Sequence, residues 1–156
     1  MNPDNKIAII QKSFFKYYQL RSITCERFAD ANQNEEASEK LRLKLVEDAS
    51  KLEPILEKYN DIAEGFSLLA QIYSELRDFD KAERYYKVSL EIDPLNSGSI
   101  VNRALNQIQM TNDFESSISM IQEAMKIDET SSYPYAALAN IEIQRYVWYS
   151  SLNIIL

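Results

Sequence analysis

The sequence predicts an all-α fold: a right-handed superhelix of stacked antiparallel helix pairs, an α-solenoid. Three observations point there. A segment recurs at a spacing of 35 residues: Asp78-Phe79-Asp80-Lys81-Ala82 returns as Asp113-Phe114-Glu115-Ser116-Ser117, Tyr86 as Ile121, Leu90 as Met125, and Ile92-Asp93 as Ile127-Asp128. A period of this size without alternating apolar residues marks helical hairpins that bury their faces by stacking. Turn residues are scarce, with 2 glycines and 4 prolines in 156 residues, too few for the many tight turns of an all-β chain. And 46% of the residues are hydrophobic, enough for a core in one domain or in part of a longer array.

The elements follow in order. Ile7, Ile10, Phe14, Tyr17 and Leu20 recur at three- and four-residue spacing and predict a helix from about Asn5 to Asp30. Ala31 to Glu36 is polar and reads as a connector. A second helix is expected from about Ala37 to Tyr59, with Leu45, Ala49, Leu52, Leu56 and Tyr59 inward. Pro54 either kinks it near Ser50 or opens a new helix at its first turn. These elements make residues 1–61 an N-terminal helical pair. Residues 62–97 form the clearest repeat: helix A from Ala63 to Leu76, then helix B from Phe79 to Ile92, capped by Asp78 and stopped by Pro94. Residues 98–131 repeat the plan, with Val101, Ala104, Leu105 and Ile108 inward on helix A (Ser99 to Met110) and Asp113 capping helix B. Residues 132–156 open a third helix A at Ser132, with Pro134 in its first turn and Tyr135, Leu138 and Ala139 at the same spacing. After Arg145 the pattern lapses into an apolar tail around Trp148 and Ile154-Ile155-Leu156, which either folds back or forms an exposed end.

Composition excludes several function classes. The net charge of −7 argues against nucleic-acid binding, which draws its affinity from a basic face. Cys25 is the single cysteine and histidine is absent, so no internal disulfide forms and the commonest metal and acid–base ligand is missing. Cys25 reads as an inert thiol. The aromatics Phe14, Phe15, Tyr17, Tyr18, Tyr85 and Tyr86 read as packing between repeats. The chain shows no phosphate loop, nucleophile–base pair or metal set, so neither an enzyme nor a cofactor is expected. The polar start, Met1-Asn2-Pro3-Asp4, is unlike a signal peptide, and no run reaches the length of a membrane span. Membrane attachment is expected only through segments outside this chain.

Phe66, Leu69, Ala70, Tyr73, Ala82, Tyr86, Ser89 and Pro94 together resemble the tetratricopeptide repeat, whose small positions permit close helix approach and whose large ones fill the grooves between neighbours. Within that family, Ile62 to Gln71, Ser132-Tyr133-Pro134-Tyr135, Ile141 to Arg145 and Gln11 to Gln19 are similar to the C-terminal part of the large import receptors of the mitochondrial outer membrane. The resemblance covers roughly residues 6 to 145. It implies a module that recognises precursor proteins, and possibly other translocase subunits, on the cytosolic side of that membrane. The alternative is a scaffold or co-chaperone adaptor of a soluble complex. The family's chaperone-tail clamp is incomplete, since Ser67, Tyr133 and Ala137 stand where basic residues are needed. The groove of such a stack is lined by helix A residues between the packing positions. Ser67, Gln71, Asn102, Asn106 and Asn140 are the expected peptide contacts, because amides bond both donors and acceptors of an extended backbone. Arg103 is the expected partner of a carboxylate.

Overall fold

A computed structural model describes residues 8–13, 15, 17 and 34–155. Residues 8–13, 15 and 17 are helical, and Ile10 and Tyr17 are buried. The rest of the expected first helix, including Phe14, Tyr18 and Cys25, lies outside the described residues. Six further helices follow: α1 (Asn34–Lys58), α2 (Ala63–Glu75), α3 (Phe79–Ile92), α4 (Ser97–Thr111), α5 (Phe114–Ile127) and α6 (Tyr133–Ile155). No strand occurs among the described residues.

Helix α1 begins at Asn34, so Asn34-Glu35-Glu36 is helix and not connector. The helix runs unbroken through Pro54, which is exposed, so Pro54 does not open a new helix. Leu45, Ala49, Leu52 and Leu56 are buried as expected. Gly65 lets α1 and α2 come close: a Cβ there would lie 2.5 Å from Leu56 Cδ2 and 3.3 Å from Ile10 Cδ1.

The two full repeats share their punctuation. Asp78 Oδ1 accepts from the Lys81 amide at 3.2 Å and Asp113 Oδ1 from the Ser116 amide at 3.1 Å, each satisfying an amide that the first turn leaves without a partner. The residue before each cap is left-handed, Arg77 at φ 62° and Asn112 at φ 55°, which turns the chain between helix A and helix B. Asn96 caps α4 through its bond from the Ser99 amide at 2.9 Å.

Each helix packs mainly on its neighbours in sequence, and the A helix α4 also touches the A helices α2 and α6, as in a quasi-one-dimensional stack. Two apolar clusters result. Leu52, Leu56, Phe66, Leu69, Ile72 and Tyr86 belong to the first, around α1–α3. Val101, Ile108, Phe114, Ile121, Ala137 and Ile141 belong to the second, around α4–α6. Between them lie three buried serines: Ser99 Oγ donates to Ser67 Oγ at 2.8 Å, Ser89 Oγ donates to the Ala63 carbonyl at 2.8 Å, and the Ser89 and Ser99 hydroxyls are 3.3 Å apart. Helix α2, flanked by α1, α3 and α4, is buried around almost its whole circumference from Gly65 to Tyr73.

Helix α6 departs from the expected pattern. Tyr135 is 50% exposed and Ala139 is also exposed, while Pro134, Ala137 and Ile141 are buried. The counterparts of Tyr135 and Ala139 on α2, Phe66 and Ala70, are buried on a helix that packs against its own helix B, α3. No described element does this for α6. Its apolar tail does not fold back; it continues the same helix, with Tyr146 74% exposed. Only the inner side is held, where Phe114 and Tyr149 sit with ring centroids 6.5 Å apart.

Candidate functional site: a groove between the A helices

The A helices α2, α4 and α6 wall a cavity of about 320 Å³. Gln71, Ser74 and Glu75 line it from α2, and Arg77 from the turn that follows. Asn102, Leu105, Ile108 and Gln109 come from α4, Tyr133, Asn140 and Gln144 from α6, and Phe79 and Tyr86 from α3. Tyr17 closes one side and donates its hydroxyl to Glu75 Oε1 at 3.3 Å. The three- and four-residue spacing of Gln71, Ser74 and Glu75, and of Asn102, Leu105 and Gln109, puts each set on one helix face.

Most of the polar atoms are amides. The Tyr133 hydroxyl donates to Asn102 Oδ1 at 2.5 Å, bridging α6 and α4, and Gln144 Nε2 donates to Asn140 Oδ1 at 2.9 Å. These bonds use the carbonyl ends of Asn102 and Asn140, and each amide also carries two N–H donors. Leu105, Ile108, Phe79 and Tyr86 supply an apolar floor. A mixed amide and apolar lining suits an extended polypeptide, whose backbone needs hydrogen bonds at regular intervals and whose side chains need shallow pockets.

Of the residues singled out from the sequence, Gln71, Asn102 and Asn140 line this cavity. Ser67 is buried in the serine contact between α2 and α4. Asn106 is 1% exposed, with Nδ2 donating to the Phe79 carbonyl at 3.1 Å. Arg103 is engaged with Glu83 of α3: Nε lies 3.0 and 3.2 Å from the two carboxylate oxygens, and a terminal nitrogen 2.7 Å from Oε1. Sequence spacing identified the helix A face but not its cross-helix partners. Arg77, Phe79, Leu105 and Tyr133 were missed as lining residues. Arg77 and Phe79 were missed because they lie in and after a turn, and Tyr133 because its bond spans 31 residues.

A second polar cluster ties α1 to the first repeat. Glu53 Oε1 accepts from the Tyr73 hydroxyl at 2.5 Å and from the Tyr85 hydroxyl at 3.0 Å. The two rings stack with centroids 5.7 Å apart, and Lys81 Nζ lies 4.6 Å above the Tyr73 ring. Burial, reinforced by the Glu53 carboxylate, pushes the Tyr85 hydroxyl up to about 12 and Tyr73 further in the same direction. Both therefore stay protonated donors across the physiological range. Among the described residues, no group of three or more His, Cys, Asp or Glu side chains is placed to hold a metal ion, and no helix is long and apolar enough to cross a membrane.

Known proteins share both a repeat and the fold with this chain. Residues 63–96, the α2–α3 repeat, match the tetratricopeptide repeat. The human mitochondrial import receptor subunit TOM70 is 27% identical over 146 residues, covering 93% of this chain and 21% of that protein. The mouse protein of the same name is 31% identical over 93 residues, or 60% of this chain and 15% of the relative. The chain therefore spans about a fifth or less of their length. Among solved structures, a tetratricopeptide repeat protein from Parabacteroides merdae superposes with a TM-score of 0.55 at 18% identity, over 90% of this chain and 61% of that one. MamA does so at 0.51 and 15% identity, over 92% and 84%. At such identities these two likenesses speak to fold alone. Residues 63–96 thus carry a tetratricopeptide repeat, and the paired helices stacked on either side of it share the fold of a solved tetratricopeptide repeat protein.

Proposed function

We propose that this chain is a protein-binding module of a mitochondrial import receptor and holds extended segments of precursor proteins in the groove between α2, α4 and α6. The observation that carries this is the groove itself: about 320 Å³ lined by five amide side chains, Gln71, Asn102, Gln109, Asn140 and Gln144, over an apolar floor. The similarity to import receptor subunits over 146 residues supports a precursor as the guest. The module works by binding and not by catalysis. Its place is the cytosolic face of the mitochondrial outer membrane, held there by segments outside this chain or by other translocase subunits.

The test is binding of the purified chain to unfolded, fluorescently labelled mitochondrial carrier precursors, measured by anisotropy. The expected result is saturable binding that weakens when Gln71, Asn102 and Asn140 are replaced by alanine together, measured at a temperature where the variant is still fully folded. No precursor affinity, combined with assembly into a stable soluble complex, would support the scaffold alternative.

A further inference from the structure

Arg77 is the one cation among the described residues that line the groove, and it occupies a backbone position that works against it. Its φ is 62°, in the left-handed region where a side chain beyond Cβ is disfavoured and where glycine and asparagine are the usual occupants. The next repeat offers an internal comparison. The equivalent position, 35 residues on, is Asn112 at φ 55°, a residue suited to that conformation. The same turn is thus built with an easy residue in one repeat and an unfavourable one in the other. Only the unfavourable one lines the cavity. A backbone cost kept at a site is explained when the side chain is needed there.

The arginine is also held in a usable state. Its guanidinium carbon lies 5.7 Å from the centre of the Phe79 ring. No carboxylate among the described residues forms an ion pair with it. Stacking on an aromatic face leaves the N–H edge of the planar fork unspent, and that edge matches a carboxylate bidentately. Arg103 of α4, by contrast, is engaged with Glu83 of α3. Glu75 also lines the groove but already accepts from Tyr17, and its charge disfavours a guest acid placed toward α2 rather than toward the α2–α3 turn.

Resting on the groove as a polypeptide site, we infer that Arg77 is a specificity determinant that selects guests bearing a carboxylate, received between the α2–α3 turn and the Phe79 ring. The carboxylate belongs either to an Asp or Glu side chain or to a chain terminus.

Three probes of one leucine- and serine-rich peptide separate the cases: uncharged with an amidated end, the same with a single central Glu, and the uncharged peptide with a free C-terminal carboxylate. Anisotropy titrations with the full chain should show at least one acidic probe binding about tenfold tighter than the neutral one, as expected for a charge-assisted fork. Which one does so identifies the source. The advantage should shrink as salt rises. Arg77→Asn should abolish the preference, so that acidic and neutral probes bind this variant with equal Kd, and raise Tm by about 3 °C as the backbone penalty is relieved. Arg77→Lys should keep only part of the preference. Equal binding of all three probes, or loss of neutral and acidic binding together in Arg77→Asn, would overturn the inference while leaving the groove as the site. Failure of every probe to bind would overturn both.

Discussion

Replacing Arg103 by alanine separates a packing role from a binding role on the same helix. The side chains of Arg103 and Glu83 are 27% and 19% exposed and join α4 to α3 through three short contacts. A fully exposed pair contributes about 0.2–1 kcal/mol, while stripping one partner from a buried pair costs about 3–5 kcal/mol. This half-buried pair lies between those limits. The loss is softened because Lys87 Nζ remains 3.5 Å from Glu83. The expected cost of Arg103→Ala is about 1–2 kcal/mol, which in a chain of this size lowers Tm by about 3–6 °C. Chemical denaturation of Arg103→Ala, Glu83→Gln and the double variant should give a coupling energy of about 1 kcal/mol. Peptide affinity at a temperature where both proteins are folded should be unchanged. Zero coupling, or a loss of affinity with no loss of stability, would refute the assignment of Arg103 to the α3–α4 joint.

Three further outcomes follow from the packing. Asp113→Ala removes the acceptor for the Ser116 amide and should cost about 1 kcal/mol, with faster amide exchange confined to the first turn of α5; uniform change across the chain would contradict a local cap. Gly65→Ala places a methyl 2.5 Å from Leu56 Cδ2, and overpacking at the α1–α2 contact should cost about 1–3 kcal/mol despite alanine's better helix propensity; an unchanged denaturation midpoint would show that Leu56 yields freely. Tyr73 and Tyr85 carry raised hydroxyl pKa values in the folded chain, Tyr85 about 12. The stability they contribute is complete below the unfolded value of about 10 and is lost as pH rises through the folded one. Alkaline unfolding should therefore coincide with the late rise in tyrosinate absorbance, and Glu53→Gln should bring that rise to lower pH. An identical titration in the variant would exclude Glu53 as a cause.

The repeat plan was legible because it rests on short-range rules. Asp78 and Asp113 cap as read, and Phe66, Leu69, Ala70, Tyr73, Val101 and Ile108 are buried where their spacing puts them. Spacing was misleading at Tyr135 and Ala139, since the inward face of a helix A is defined by the helix B that covers it. Polar partners were less visible still. The Glu53 contact to Tyr85 joins positions 32 residues apart, and the Arg103 contact to Glu83 joins positions 20 apart. Neither is implied by any local pattern. Amide residues on helix A were read as one groove-lining set, yet Asn106 turns to the Phe79 carbonyl while Asn102 four residues earlier lines the cavity. A single turn of helix thus separates a cavity-lining side chain from an internal tie.

The contact of Ser67, Ser89 and Ser99 has a mechanical consequence. These side chains are among the smallest available, and they fill the seam between two apolar blocks while satisfying one another's hydroxyls. Their bulk fixes how closely α2 approaches α4, and with it the pitch of the superhelix and the width of the trough on its inner side. A methyl or two added at Ser99 would act as a shim, prising the blocks apart and flattening the trough, with no cavity-lining side chain altered.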